Sequence, residues 1–159
     1  TALSPYHPGG YSAEFVSGIN YIHVDNDVSS VQWMYNGSTA EGTFEAWIYQ
    51  TAQGTGSTTY TYPCILGNGP TYFNFGVNNV ALTFYQWQGS QVYIVPTGAT
   101  ISLNKWHHVA FSNDSSNTFR IFLDGVLVHT ISSWPGVTWA TTANSDEIYI
   151  GTEGFNATI

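Results

Sequence analysis

The chain is written in short runs of alternating β-branched and aromatic residues. Each run is soon cut off by Gly, Asn, Asp or Pro, and no stretch repeats with a helical period. Thr43-Phe44-Glu45-Ala46-Trp47-Ile48-Tyr49 alternates strictly. Phe44, Ala46 and Ile48 share one face, and Glu45, Trp47 and Tyr49 share the other. Further strands are predicted at Gly10 to Val16, Tyr21 to Val24, Cys64 to Leu66, Tyr72 to Val77, Ala81 to Trp87 and Gln91 to Val95. Others follow at Trp106 to Ser112, Thr118 to Leu123, Val126 to His129 and Glu147 to Gly151. Asn78-Asn79 suits a turn, because Asn tolerates the left-handed conformation. Asp124-Gly125, between two strand-like runs, predicts a type I′ hairpin. Thr51 to Thr59, rich in Gly, Ser and Thr, reads as a long loop. Many short strands with regular turns imply a single all-β domain, a two-sheet antiparallel sandwich of jelly-roll type, over 1–159.

Composition removes several functions. The net charge is −8, from ten acids against Lys105 and Arg120. Nucleic acid is excluded, because phosphate binding needs several cations. Anionic membrane surfaces are excluded for the same reason, and no apolar run is long enough to span a bilayer. Charged residues are only 8% and aromatics 16%. A surface of hydroxyls and amides set with rings suits neutral polar partners, sugars first. Cys64 is the only cysteine, and its apolar setting predicts a buried, inert thiol. The chain opens at Thr1 rather than Met, which points to a processed, cut or partial chain. Asn36-Gly37-Ser38, Asn113-Asp114-Ser115 and Asn156-Ala157-Thr158 are glycosylation triplets of the kind this composition yields by chance.

Five segments resemble the laminin-G-like domains of the concanavalin A-like lectin/glucanase superfamily. Phe44 to Tyr49 resembles their F-x-x-E-x-W-V/I strand, and Trp106-His107-His108-Val109-Ala110 their W-x-H-V-A strand. Arg120 to Val128 resembles the hairpin with D-G at its tip. Ile148-Tyr149-Ile150-Gly151 is similar to the L-x-I-G strand. Gly10 to Phe15 with Tyr21 to Val24 is similar to the opening pair. The resemblance implies a curved jelly roll and places Trp47 and Trp106 in the core. It also implies a last strand beyond Ile159, supplied by a longer chain or by a partner, since an unpaired edge invites association. Ser4 to Ser12 resembles segments that precede such domains in structural proteins of tailed bacterial viruses.

Glycosidase chemistry would need two carboxylates flanking a bond. The Glu-x-Asp-x-x-Glu of the glucanase relatives is missing, and Glu41/Glu45 and Asp146/Glu147 are the nearest acidic pairs. The expectation is therefore no catalytic residue. Asp25-Asn26-Asp27 is the densest oxygen cluster. It makes Asp25 and Asp27 weak calcium candidates beside the simpler reading of a turn. No cofactor is required. None of the five histidines has zinc spacing. His107 and His108, being adjacent, point to opposite faces, one packed and one exposed.

Aromatic residues near loops are the remaining resource. Trp134, Trp139, Trp87, Tyr60 and Tyr62 are the candidate ligand-binding residues, the first two flanking a Pro-Gly turn. A sugar's C–H face stacks on such rings. The same rings also suit core caps and protein interfaces. The expected function is a non-enzymatic adhesion module for cell-surface carbohydrate on a virion or extracellular surface, in a tail fibre or capsid decoration. The alternatives are a structural module that meets other virion or extracellular proteins, and an accessory glycosidase domain. An exposed edge also admits a homo-oligomer.

Overall fold

The computed structural model describes residues 12–15, 22–24, 41–53, 64–68, 73–88, 91–116, 118–132 and 148–151. These form ten strands: β1 (Ile22–Val24), β2 (Gly42–Tyr49), β3 (Cys64–Asn68), β4 (Phe73–Asn78), β5 (Ala81–Gln88), β6 (Gln91–Thr100), β7 (Trp106–Asn113), β8 (Phe119–Leu123), β9 (Val126–Ile131) and β10 (Ile148–Ile150). They lie in two antiparallel sheets, a six-stranded one of order β1-β10-β3-β4-β5-β6 and a four-stranded one of order β2-β7-β8-β9. The all-β jelly-roll sandwich is the observed fold.

Alternation decides what enters the core. From the four-stranded sheet Phe44, Ala46 and Ile48 join Val109, Phe111, Phe119 and Ile121. From the six-stranded sheet come Leu66, Phe75, Val77, Leu82 and Phe84. Phe111, only 2% exposed, is the hinge of this packing. Its ring lies 5.2 Å from Phe119 and 5.6 Å from Phe44 in its own sheet. It also lies 5.3 Å from Phe75 and 5.8 Å from Phe84 in the facing sheet. Cys64 is buried, as its setting predicts.

Turn chemistry fixes the hairpins. Asp124 and Gly125 have φ of 51° and 78°, the pair of positive values a type I′ turn needs. Asn79 has φ 57° and begins the tight connection after Asn78, which pairs with Ala81.

Two strand expectations need correction. β6 does not stop at Val95 but continues through Pro96 to Thr100. The register against β5 shifts between Ala81 and Thr83, and Gly98 takes φ 74° within the bulge. The Thr97 hydroxyl donates to Leu82 O at 2.8 Å and accepts from Ala99 N at 3.0 Å, so side-chain bonds bridge the interrupted ladder. The segment predicted as a strand from Gly10 to Val16 is irregular over its described part, Ser12 to Phe15. Phe15 is engaged through its ring rather than through a ladder, because the ring covers Gly151, where an added Cβ would overlap it.

Gly151 also has φ 90°, a backbone that favours glycine. Gly151→Ala is expected to destabilise the domain by about 1–2 kcal/mol. The check is urea denaturation. An unchanged midpoint would show that neither the conformation nor the Phe15 contact matters to the folded state.

Candidate functional site

With Phe44, Ala46 and Ile48 turned inward, Glu45, Trp47 and Tyr49 must face outward. The β2–β7 register sets Trp47 opposite His108 and Tyr49 opposite Trp106. The Trp47 and His108 rings are 5.3 Å apart and tilted. Tyr49 and Trp106 meet edge to face at 5.4 Å. His108 Nε2 lies 3.4 Å from Glu45 Oε2, the Glu45 side chain being 70% exposed. Trp47 is itself 40% exposed. Placing Trp47 and Trp106 in the core is therefore overturned. A sheet in a two-layer sandwich has one buried face, and Phe44 already occupies it on β2.

The neighbouring histidine anchors this row from below. His107 is 4% exposed. Its Nε2 accepts from Ser102 N at 3.1 Å, and its Nδ1 lies 2.8 Å from Asp124 Oδ2. Because Nε2 accepts, the proton sits on Nδ1 and is donated to the carboxylate. Asp124 Oδ1 accepts from His108 N at 3.0 Å, and Asp124 N donates to His108 O at 2.7 Å. The β8–β9 turn is thus bolted to β7 just where β7 presents Trp106 and His108. Burial raises the Asp124 pKa, but the hydrogen bonds from His107 and from the His108 N–H outweigh it and hold the carboxyl below its usual value.

Asp114 organises the opposite end of the sheet. It accepts from Arg120 Nη1 at 2.8 Å, from Ser116 N at 2.9 Å and from Thr118 N at 3.0 Å. The Arg120 hydrogen bond, with those from the Thr118 and Ser116 amides, lowers its pKa despite some desolvation.

Beside Tyr49 a small cleft of about 130 Å³ opens between Ile48, Gln50, Cys64, Ile65 and Val77. Gln50 Nε2 donates to Asn79 O at 2.7 Å. Its Oε1 is buried and makes no hydrogen bond.

Most of the residues expected from sequence lie outside the described residues. Trp134, Trp139, Tyr60 and Tyr62 lie outside the described residues, as do Asp25, Asp27, Asp146 and Glu147. Trp87 lies on β5, opposite Val92 on β6. Glu41 is exposed one residue before β2. Among the described residues no cluster of three metal-ligating side chains occurs. The row at Glu45, Trp47, Tyr49, Trp106 and His108 was missed as a site, although strict alternation from Phe44 to Tyr49 carries the signal for it.

Comparison with known proteins agrees with the fold. The Laminin_G_3 family model, of the concanavalin A-like lectin/glucanases superfamily, matches residues 18–158. No curated protein sequence matches. Among solved structures, domain 4 of AbnA is similar, with a TM-score of 0.49 and 19% identity over 72% of this chain and 52% of that one. AbnA is a GH43 extracellular arabinanase from Geobacillus stearothermophilus, and that domain was solved in complex with arabinotriose. Botulinum neurotoxin type C, which interacts with two ganglioside molecules, gives 0.46 and 16% over 74% and 28%. An endo-β-1,4-glucuronan lyase from the fungus Trichoderma reesei gives 0.43 and 17% over 69% and 56%. The chain spans 28% to 56% of the length of these structures.

Proposed function

Because the chain belongs to the Laminin_G_3 family of the concanavalin A-like lectin/glucanase superfamily, we propose that it is a non-enzymatic carbohydrate-recognition module serving surface adhesion. The observation that carries this reading is the outward aromatic row of β2 and β7. Trp47 is 40% exposed on the outer sheet face, with the His108 ring beside it. An indole held there offers a flat apolar surface, and a pyranose offers a matching C–H face. Glu45 and His108, beside it, are partners for ring hydroxyls. Glu45 stands against His108 and Glu41 is exposed at the strand entrance, an arrangement that suits binding better than two-carboxylate hydrolysis. The setting we propose is an extracellular or virion surface, supported by the low charge of the chain.

A second reading has its own support. Val126 and Leu127 on β9 are 64% and 50% exposed, which favours a structural module that packs through that strand. A glycan and bacterial-polysaccharide array, run with calcium and with chelator, separates the two. Recognition predicts saturable binding to a defined sugar. Folded protein that binds nothing in either condition would leave the structural module. Binding lost only in chelator would assign Asp25 and Asp27 as ligands.

A further inference from the structure

We infer that the recognition surface is the outer face of β2 and β7, and that its ligand is a saccharide free of acidic groups; this rests on the recognition reading above. Four features of the face point this way.

The rings are pre-set. Trp47 packs on His108 and Tyr49 on Trp106 across the strand pair. The same two strands are pinned by Phe44, Ala46, Ile48 and Val109 in the core. The start of β7 is further held by Asp124, through His107 and the His108 amide. A ligand docking here orders little that is not already ordered, which favours binding by a small, weakly contacting partner.

The two ring pairs are separated by two residues along each strand, about 7 Å. That span accommodates two sugar rings side by side, each over one aromatic pair. The Glu45 carboxylate, 70% exposed and next to the Trp47–His108 pair, accepts hydroxyl hydrogens at the edge of the first ring.

Charge sets the class of sugar. The chain carries ten acids and two cations, and Arg120, on the same sheet, is already bonded to Asp114. Glu45 lies within the site itself. The other cation, Lys105, stands just before Trp106 in the field of Asp124. Uronic, sialic, sulfated or phosphorylated glycans would therefore meet the charge of Glu45 and the net negative charge of the chain with one lysine to set against them.

A protein partner would prefer another part of this sheet. The row carries Glu45 and His108 beside its rings, whereas the exposed aliphatic residues Val126 and Leu127 lie on β9, separated from β7 by β8.

The experiment is isothermal titration of the full chain with a neutral gluco-oligosaccharide, an N-acetylated chito-oligosaccharide and an oligogalacturonate. It is repeated on Trp47→Ala, Trp47→Phe, Glu45→Gln and Trp134→Ala, with sedimentation of each. The inference expects one of the two uncharged sugars to bind and the oligogalacturonate not to. Trp47→Ala should weaken binding by about tenfold or more, with Glu45→Gln a few-fold weaker and Trp134→Ala close to wild type. Should Trp47→Ala fail to fold, a few-fold loss in both Trp47→Phe and Glu45→Gln carries the same conclusion. Wild-type affinity in the Trp47 and Glu45 variants, with loss in Trp134→Ala, overturns this site and leaves the recognition reading intact. Preferential binding of the oligogalacturonate overturns the charge argument. No binding by an array-positive protein to either uncharged sugar, or a Trp47 change that alters only sedimentation, also overturns the inference. No binding on the array at all overturns the recognition reading with it.

Discussion

Phe111→Ala is expected to lower the unfolding free energy by about 3–5 kcal/mol, the cost of emptying a large buried aromatic site that cannot fully collapse. The magnitude sits at the severe end of single substitutions because the ring belongs to both layers. Phe44 and Phe119 contact it within the four-stranded sheet, and Phe75 and Phe84 reach it from the six-stranded one. Removing it loosens four rings at once, two in each sheet. Denaturant titration should show a much lower midpoint with an unchanged slope, the mark of lost stability without a changed denatured state. A loss below about 1 kcal/mol would mean that the sheets are held together by other contacts.

Asp124→Asn is expected to cost about 2–3 kcal/mol through a frustrated hydrogen-bond network rather than through a cavity. Asn keeps an acceptor for the His108 amide and tolerates the positive φ of 51° at this turn. Its amide nitrogen, however, faces His107 Nδ1, which is already a donor. Moving the proton to Nε2 gives no relief, because that nitrogen accepts from Ser102 N. One donor meets another in either tautomer, against a ring that is 4% exposed. The pH dependence follows from the same contacts. The folded pKa of Asp124 lies below its ordinary value of 3.8, so the unfolded chain takes up the proton first as pH falls. The carboxylate therefore stabilises the fold fully above that ordinary value, and the contribution fades as pH drops through the folded pKa. Asp114 acts in the same direction. Wild type should lose stability below about pH 4, and Asp124→Asn should show a shallower acid limb. Equal acid limbs in the two proteins would remove Asp124 from the account.

Much of this architecture is legible in the sequence, for a physical reason. Strand alternation and turn residues act locally, so Phe44 to Tyr49, Asn78-Asn79 and Asp124-Gly125 announce themselves without knowledge of their neighbours. What depends on distant neighbours is hidden. Pro96-Thr97-Gly98 looks like the end of a strand, yet Thr97 bridges to Leu82 and the strand goes on. Asp124 reads as a turn former, and nothing local shows that its carboxylate serves His107 on another strand. Trp47 shows a different lesson. A motif implies that a tryptophan matters but not which face it takes, and its parity with Glu45 rather than Phe44 was the better guide. Two-layer packing allows one buried face per sheet, so a ring opposite the core face becomes surface.

The most direct test of the account is a two-dimensional amide and indole NMR titration of the full chain with the bound uncharged oligosaccharide. The account predicts that the indole N–H signals of Trp47 and Trp106 and the backbone signals around Glu45 and His108 shift together and saturate, while those of Phe75 and Val77 in the facing sheet stay still. Saturating shifts confined to residues away from β2 and β7 would contradict it.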